Sequence, residues 1–419
     1  MSNPLRWIAT VDEQGRLVVP AEVAAQFGLT PGSEVYLQET GNSLLLRPPV
    51  SHLRRIYVEP TNACNLDCRT CMRNAWDEPL GWMSEAVFER VLEGVRAFDP
   101  APTVFFGGFG EPLAHPRLVE MVKQAKDAGA RVELISNGIL LKEEMGPNLI
   151  AAGLDKLWVS IDGATPESYS DVRLGDALPQ VIQNLYRLQL YQYQKHRRLV
   201  LELGIAFVAM RRNIADLPAV INLGKRLGAT HFSVSNVLAH TPELRQERLY
   251  ERTVHHSGYQ PRITLPRVEL PRMDFNAHTQ AALIETLSNL SHVATLAGYE
   301  SFHLVDTCPF IEKGSLSVRW DGAVSPCLPL LHSHLSYLDD RQRRIKAHTV
   351  GSLLERELSD LWNDVDYLAL RKRLQMFDFS PCIYCNSCEF PDQNQSDCFG
   401  SPFPACGACL WAQGIIRCP

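Results

Sequence analysis

CNLDCRTC, residues Cys64 to Cys71, follows an extended run at 55–59 and places three cysteines at CxxxCxxC spacing. A [4Fe–4S] cluster normally takes four thiolates, so three thiolates on one short loop leave one iron without a protein ligand. Such an iron can bind a substrate or cofactor, as the open position of a catalytic zinc site does. The spacing alone leaves two alternatives open, half of a zinc site and three unrelated thiols.

Extended and helical patterns alternate along the chain after this loop. The candidate strands are 55–59, 103–106, 131–135, 156–161, 201–209 and 231–236. The helical patterns cover roughly 84–98, 116–128, 142–152, 177–195 and 213–227. This alternation predicts an α/β fold, in which crossover helices connect the strands of a parallel sheet.

Length, composition and charge narrow the class of protein. The 419 residues exceed one typical domain, and 45% of them are apolar, which is enough for a sizeable core. The net charge of −6 argues against broad nucleic-acid binding. The sequence has no apolar run long enough to span a bilayer, and residues 1–6 lack the pattern of a signal peptide. We therefore expect a cytoplasmic protein without a membrane partner.

The twelve cysteines fall into two groups, three at 64–71 and nine from Cys308 to Cys418. In a cytosolic chain, cysteines at such spacings are more often metal or cluster ligands than disulfide partners. Thiols used for general packing would be scattered, whereas residues 72–307 contain none. The grouping therefore predicts that both sets serve as ligands.

The loop and the alternating pattern together resemble the radical S-adenosylmethionine (SAM) enzymes. The resemblance implies that Cys64, Cys68 and Cys71 hold a [4Fe–4S] cluster whose open iron binds the amino and carboxylate groups of SAM. In that family one electron from the cluster cleaves SAM to methionine and a 5′-deoxyadenosyl radical, which abstracts a hydrogen atom. It also implies a partial (β/α)6 TIM-type barrel over residues 51–240, with its chemistry at the C-terminal ends of the strands.

Two turns after predicted strands resemble parts of the family's SAM site. Gly107-Gly108-Phe109-Gly110-Glu111-Pro112 resembles the Gly-Gly-Glu-Pro turn that binds the SAM amino group, with Glu111 as the acceptor. Its glycines, Gly108 and Gly110, allow close approach of the backbone to a ligand. Asn137, in Ser136-Asn137-Gly138, resembles a position near the ribose. An ordinary surface turn is the alternative interpretation of both segments.

The later strands add four candidates for contact with SAM. Ser160 resembles a SAM-contacting hydroxyl, and nearby Asp162 is either part of the site or a cap of the following turn. Arg173 resembles an arginine that pairs with the SAM carboxylate, for which its fork of N–H donors is suited, although an exposed surface arginine is the alternative. Gly204, inside an apolar strand, predicts close approach by a ligand, here adenine.

Residues 1–50 resemble the AbrB/MazE looped-hinge module, through Gly15-Arg16-Leu17-Val18-Val19-Pro20 and Gly28-Leu29-Thr30-Pro31-Gly32. Relatives of that module are dimeric DNA-binding β-barrels. Residues 5–50 carry only three basic residues against five acidic ones, a net charge of −2, whereas DNA binding requires clustered Lys and Arg. We therefore predict a small β-rich docking or dimerisation module, with DNA binding as the alternative.

The region 306–419 resembles a cysteine-rich SPASM domain, which holds auxiliary [4Fe–4S] clusters. Cys308, and Gly322 followed by Cys327, resemble its opening. The spacing of the later cysteines departs from the usual pattern, so their pairing stays open; these are Cys382, Cys385, Cys388, Cys398, Cys406, Cys409 and Cys418. Nine cysteines suffice for one or two auxiliary clusters with one to spare, and structural zinc is the alternative. Residues 241–305 are interpreted as a bridging segment that forms part of a substrate wall.

The N-terminal module together with the C-terminal tail from Cys398 to Pro419 resembles the radical SAM maturases associated with tungsten-pterin oxidoreductases. This resemblance implies a client, either such an oxidoreductase or its cofactor, and an electron donor such as ferredoxin or flavodoxin. The alternative enzyme is a radical SAM maturase that forms thioether or carbon–carbon crosslinks in a peptide. The alternative that is not an enzyme is a DNA-binding redox sensor.

Overall fold

The protein's structure, a computed structural model, covers most of the 419-residue chain. It describes residues 7–40, 43–76, 78–250, 267–271, 273–289, 294–296, 307–338, 340–380, 382–384 and 388–419. Much of the predicted bridging segment at 241–305, and the candidate ligand Cys385, lie outside the described residues. Among the described residues, no helix combines the length and the apolar character needed to cross a membrane.

The N-terminal module consists of two small hairpins around one helix. Its elements are β1 (Thr10–Val11), β2 (Leu17–Val18), α1 (Ala21–Phe27), β3 (Tyr36–Thr40) and β4 (Ser43–Arg47). Gly28 ends α1 in the left-handed conformation, as expected of a C-cap glycine. Helix α1 buries no residue, and the side chains of Ile8, Val11 and Leu44 are 84%, 67% and 63% exposed. The module therefore presents an apolar surface to its surroundings.

Six β/α units follow, as the sequence predicts. The elements are β5 (Arg55–Val58), α2 (Glu85–Arg96), β6 (Thr103–Phe106), α3 (Leu118–Asp127), β7 (Val132–Ser136), α4 (Met145–Ala151), β8 (Lys156–Ser160), α5 (Pro166–Arg173), α6 (Leu178–His196), β9 (Glu202–Ala209), α7 (Leu217–Arg226) and β10 (His231–Asn236). Neighbouring strands from β5 to β10 are all parallel, which confirms the predicted barrel-type α/β core.

Most strands in the rest of the chain extend the same sheet at both sides, whereas β15 and β16 pair only with each other among the described residues. Its elements are α8 (Pro242–Gln246), β11 (Arg267–Leu270), α9 (Gln280–Asn289), β12 (Ala294–Leu296), α10 (Pro309–Glu312), β13 (Ser315–Val318), β14 (Ala323–Ser325), β15 (His334–Leu338), β16 (Arg341–Ile345), β17 (Gly351–Ser352), α11 (Leu358–Trp362) and α12 (Val365–Met376). Strand β11 pairs in parallel with β10, and β12 pairs in parallel with β11.

Strand β13 of the cysteine-rich region lies beside β5, the first strand of the barrel. The two run parallel, with Arg55 opposite Ser315 and Val58 opposite Val318. Strands β14 and β17 then continue the sheet in the antiparallel sense. The cysteine-rich region therefore shares its sheet with the barrel, across the boundary that the sequence placed near residue 306.

The alternation of side chains along β5 shows why the sheet has two different faces. Ile56 and Val58 are fully buried in the main core, which includes the apolar faces of the surrounding helices. Tyr57, between them, packs in a separate cluster with Phe105 and Trp158. Because successive side chains of a strand point to opposite faces, this second cluster lies on the inner face of the curved sheet.

Candidate functional site

The cysteine loop lies at the C-terminal end of β5. The backbone N–H of Cys71 donates to the carbonyl of Cys68 over 3.0 Å, and a short 3₁₀ turn at Met72–Ala75 follows. The thiols of Cys64, Cys68 and Cys71 are all free of disulfides. The loop therefore occupies the edge of the sheet where barrel enzymes place their chemistry, and it retains three unmodified sulfur donors.

Nitrogen donors from three parts of the chain surround these sulfurs. The N–H of Leu66 lies 3.4 Å from the Cys64 sulfur, and Nδ2 of Asn137 lies 3.9 Å from it. The guanidinium of Arg173 lies 3.7 Å from the Cys68 sulfur. Donors of this kind stabilise thiolates, and hydrogen bonds to sulfur are among the features that tune iron–sulfur clusters.

Burial disfavours the thiolate forms of Cys64 and Cys71 when no metal is bound. It raises the pKa of Cys64 to about 11, and it also raises the pKa of Cys71, with the nearby Cys68 adding to both increases. Because thiolates are the forms that bind metals, iron would have to displace the protons of these thiols. Three free sulfurs with nitrogen donors around them fit the three-thiolate loop of a cluster with an open iron.

Glu111 connects the glycine-rich turn to the next strand. Its buried carboxylate accepts hydrogen bonds from the Ser136 hydroxyl at 2.8 Å, the Asn137 N–H at 2.7 Å and the Leu113 N–H at 3.0 Å. Asn137 in turn reaches Cys64. The structure thus brings two predicted SAM-contacting residues together beside the cysteine loop, and their contact with SAM remains a prediction.

Close packing of neighbouring atoms leaves no room for a side chain at Gly108 or Gly110. A Cβ at Gly110 would lie 2.1 Å from the carbonyl oxygen of Thr61, and one at Gly108 would lie 2.7 Å from the side chain of Glu59. Gly108 also has a φ of +102°, which favours glycine. The close approach predicted for these glycines is therefore made to the neighbouring strand and its loop, which places the turn against the cysteines.

Asp162 and Arg173 form an ion pair in the same region. Their oxygen and nitrogen atoms are 2.6 Å apart, the side chain of Asp162 is fully buried, and that of Arg173 is 11% exposed. Asp162 holds the pKa of Arg173 above its usual value despite burial. The exposed-arginine alternative is therefore wrong. Nε of Arg173 is buried without a hydrogen-bond partner, so one polar atom beside Cys68 remains available to a ligand.

Ser160 lies close in sequence to the Asp162–Arg173 ion pair, whereas Gly204 packs against a tryptophan side chain. Ser160 is half-buried at the end of β8, two residues before Asp162. Gly204 faces the indole of Trp158 on the neighbouring strand, and a Cβ there would lie 2.4 Å from the ring. The indole of Trp158 therefore explains why this position is glycine, and the contact between Gly204 and adenine remains a prediction.

Sequence reasoning missed a buried charged group next to the cysteine loop. His332, which is fully buried, contacts Glu59 through Nε2 at 2.9 Å and Glu78 through Nδ1 at 2.6 Å. Its ring packs on Trp76, with 4.2 Å between centroids. Glu59 also accepts a hydrogen bond from the N–H of Phe109 in the glycine-rich turn. No local motif signals this group, because its members come from distant parts of the chain.

His332 gives a pH-dependent contribution to stability. Burial lowers its pKa, but the hydrogen bonds and charges of Glu59 and Glu78 outweigh burial, so the pKa lies above its usual value. Stabilisation by a histidine with a raised pKa is fully present below the unfolded value of about 6.5 and is lost as the pH rises through the folded value. Each unit by which the folded-state pKa exceeds the unfolded value adds about 1.4 kcal/mol to the unfolding free energy at low pH.

We therefore expect the difference in unfolding free energy between the wild type and His332→Gln to be larger at pH 6 than at pH 9. Urea unfolding of both proteins across this range measures it. A difference that stays constant or grows toward pH 9 would contradict a charged His332.

The cysteines of the C-terminal region lie in three places. Cys308, Cys327, Cys406 and Cys409 line one cavity. Cys388 and Cys398 are exposed, whereas Cys418 packs against the inner face of the barrel sheet, which Cys308 and Cys327 also contact. Over the described parts of the chain, no three His, Cys, Asp or Glu side chains are grouped so as to hold one metal ion. A cubane cluster differs from such a site, because its thiolates bind separate irons.

Comparison with protein families finds matches in three parts of the chain. The profile of the radical SAM superfamily matches residues 58–201, which include the three-cysteine loop, Glu111 and Arg173. The SPASM profile, described as an iron–sulfur cluster-binding domain, matches residues 308–389. The profile described as antidote-toxin recognition MazE, bacterial antitoxin, matches residues 8–53.

Individual relatives are similar to this chain over longer stretches than the family profiles are. The chain is 27% identical over 375 residues to the tungsten-containing aldehyde ferredoxin oxidoreductase cofactor-modifying protein of Pyrococcus furiosus, a match that covers 88% of this chain and 97% of the relative. It is 30% identical to the AdoMet-dependent heme synthase of Methanosarcina barkeri over 43% of this chain and 50% of that protein.

A solved structure extends the similarity to the fold. The structure of anSMEcpe with bound AdoMet superposes with a TM-score of 0.52 at 17% identity, covering 81% of this chain and 84% of the other. At that identity the likeness concerns the fold alone. The profile matches show that the chain contains a radical SAM domain, which carries the three-cysteine loop at the end of the first barrel strand, together with a SPASM domain and a MazE-like N-terminal domain.

Proposed function

We propose that this enzyme reductively cleaves SAM and uses the resulting radical to modify or mature a tungsten-pterin oxidoreductase or its cofactor. The observation that carries the proposal is the set of three free thiols at the end of β5, next to Glu111 and Arg173. When bound, the [4Fe–4S] cluster supplies the electron that breaks the carbon–sulfur bond of SAM.

The chain's own residues have separate roles in this proposal. Cys64, Cys68 and Cys71 hold the cluster, and Arg173, held by Asp162, presents a cation where the SAM carboxylate would lie. Glu111 already accepts three hydrogen bonds, and a carboxylate has about four acceptor positions. One position therefore remains for the ammonium group of SAM.

The choice of client follows from the relative in Pyrococcus furiosus, whose name refers to the cofactor of a tungsten-containing oxidoreductase. That relative is matched over 97% of its length and over 88% of this chain. The alternative client is a peptide that receives a thioether or carbon–carbon crosslink. An electron donor such as ferredoxin or flavodoxin would reduce the clusters in either case.

The N-terminal module is proposed to dock the client or to join two copies of the chain. Exposed apolar side chains on its hairpins, such as Val11 and Leu44, support a protein partner. Its net charge of −2 offers no electrostatic attraction to DNA. Val11→Ser combined with Leu44→Ser should weaken self-association or client binding while leaving SAM cleavage intact, as measured by light scattering and by product analysis.

The decisive experiment incubates anaerobically purified protein with SAM and a strong reductant. Formation of 5′-deoxyadenosine and methionine is the expected result, and its absence from protein that contains iron and sulfide would overturn the proposal. Parallel incubations with an apo-oxidoreductase and with candidate peptides separate the two clients. Binding to DNA without any cleavage of SAM would instead favour the redox sensor.

A further inference from the structure

A buried histidine from the cysteine-rich region bridges two segments that flank the cysteine loop. His332 follows the 3₁₀ turn at Leu328–Leu330 and precedes β15. Its Nε2 atom lies 2.9 Å from Oε2 of Glu59, directly after β5, and its Nδ1 atom lies 2.6 Å from Oε2 of Glu78, in the segment after the loop. The side chains of His332 and Glu59 are fully buried. The cysteine-rich region therefore contributes a side chain to the edge of the barrel that carries the loop.

Glu59 uses its two carboxylate oxygens for two different partners. Oε2 meets His332, whereas Oε1 accepts the backbone N–H of Phe109, in the glycine-rich turn, over 3.1 Å. The thiol of Cys71 lies 4.0 Å from the carbonyl oxygen of Phe109. A Cβ at Gly108 would lie 2.7 Å from the Glu59 side chain, so the turn packs directly on this carboxylate. A continuous path of contacts thus leads from His332 through Glu59 and the turn to the cysteine loop.

Two aromatic side chains pack on the same imidazole. The ring centroid of His332 lies 4.2 Å from that of Trp76 and 5.6 Å from that of Phe109. The centroids of Trp76 and Phe109 are 5.1 Å apart, so the three rings form one group. Trp76 directly follows the 3₁₀ turn that continues the cysteine loop. The imidazole therefore contacts both the glycine-rich turn and the extension of the loop.

Two carboxylates on one imidazole require the charged form of the ring. A neutral imidazole donates through one nitrogen and accepts through the other, whereas an imidazolium donates through both. Ionised carboxylates accept hydrogen bonds and donate none. Both Glu59 and Glu78 therefore receive a hydrogen bond from His332 when its ring carries the second proton.

The other ionisable groups near this ring are compatible with the charge. Arg319, directly after β13, lies 3.8 Å from Glu78 and 2.5 Å from Asp321. His334, two residues after His332, is buried, and burial lowers its pKa to about 4, so it stays neutral above that pH. Three carboxylates thus face two cations when His332 is charged, which favours its proton electrostatically.

We infer that His332 is a positioning residue for SAM, which acts through Glu59 to hold the backbone of the glycine-rich turn against the cysteine loop. The inference deepens the proposed function and rests on it, because Glu111 of this turn is proposed to bind the ammonium group of SAM. The SAM site of the barrel is then incomplete without the cysteine-rich region, which supplies the histidine. Loss of the charge on His332 loosens the turn and weakens SAM binding.

SAM affinity at several pH values tests this role. Equilibrium dialysis of anaerobically reconstituted full-length protein without reductant measures binding before any cleavage. At pH 6 the Kd of His332→Gln should exceed that of the wild type about tenfold, which corresponds to about 1.4 kcal/mol. This ratio should fall as the pH rises to 9, because His332 of the wild type then loses its charge. Ionisation of SAM itself affects both proteins and cancels in the ratio.

A double variant tests whether His332 acts through Glu59. Glu59→Gln keeps an oxygen that can accept the Phe109 N–H but removes the charge that faces His332. Adding His332→Gln to Glu59→Gln should weaken SAM binding by less than about twofold further, because residues in one network do not act additively. Effects that multiply fully in the double variant would show that His332 does not act through Glu59.

Amide hydrogen exchange of the turn gives a readout that needs neither SAM nor its cleavage. Peptides that cover residues 105–113 should exchange faster in His332→Gln than in the wild type at pH 6, because the acceptor of the Phe109 N–H is no longer held. The matched control is His348→Gln in the same region. His348 packs on Phe403, with 4.9 Å between centroids, and burial lowers its pKa. This control should change neither the exchange of the turn nor the pH dependence of SAM affinity.

Three results would overturn the inference: unchanged SAM affinity of His332→Gln at pH 6, a Kd ratio that does not vary with pH, or unchanged exchange of the turn. Glu78→Gln, at a side chain that is 26% exposed, provides a second variant with the same direction of effect if His332→Gln fails to fold, which circular dichroism reveals. A wild type that binds SAM with the expected pH dependence but does not cleave it would refute the proposed function and leave this inference intact. A wild type that cleaves SAM while the Kd ratio stays constant would do the reverse.

Discussion

Cys68→Ala is expected to abolish SAM cleavage and to remove about four of the irons, while the auxiliary iron stays in place. Cys68 is the central ligand of the loop, and the Arg173 guanidinium lies 3.7 Å from its sulfur. With two thiolates left, the loop cannot hold a cluster that also presents an open iron. Iron content, the electron paramagnetic resonance spectrum of the reduced protein and the yield of 5′-deoxyadenosine measure the effect.

Thr70→Ala provides the matched control for this experiment. Thr70 lies on the same loop but carries no thiol, so its removal tests whether any disturbance of the loop has the same effect. We expect this variant to keep its iron and most of its activity. Cleavage of SAM by Cys68→Ala at the rate of the control would show that the three-cysteine loop is not the reacting centre.

Arg173→Met is expected to lower the unfolding free energy by about 3–5 kcal/mol, because it leaves the carboxylate of Asp162 buried without its partner. The side chain of Asp162 is fully buried, so solvent cannot compensate for the loss. The same variant should also bind SAM more weakly, because the proposed site loses its cation. Denaturant unfolding and SAM binding measure the two effects separately.

Two further variants identify the cause of this loss. Arg187, whose side chain is 45% exposed, pairs with Glu143 on the surface, and such pairs contribute about 0–1 kcal/mol. Arg187→Met should therefore change stability little. Adding Asp162→Asn to Arg173→Met should recover part of the stability, because the unpaired charge is then removed. No recovery in the double variant would show that the ion pair does not cause the loss.

Local sequence patterns were sufficient to predict the parallel strands and crossover helices of the core, whereas the barrel came from the family resemblance. Strands β5 to β10 lie within a residue or two of the predicted ranges, because each is a short apolar run between a helix and a turn. The cysteine loop was equally clear, since three ligands of one cluster lie within eight residues. Such features depend on neighbours in the chain, so they can be recognised without a structure.

Contacts between distant segments could not be predicted in this way. His332 meets Glu59 across 273 positions of sequence, and neither residue belongs to a recognisable motif. The pairing of β13 with β5 could not be predicted either, because the sequence of a short parallel strand does not indicate which strand it pairs with. Gly204 illustrates a different limit of sequence patterns: a glycine in a strand indicates close approach but does not show which group approaches, and in the structure Trp158 does so.

The pairing of β13 with β5 protects one edge of the barrel strands. Without β13, the edge of β5 would expose unpaired N–H and C=O groups, and open strand edges promote aggregation. Cys308 and Cys327 flank the β13–β14 hairpin in the sequence, so two of the predicted cluster ligands lie on either side of the strand that covers this edge. The cysteine-rich region therefore keeps the β5 edge of the barrel sheet paired and out of reach of other chains.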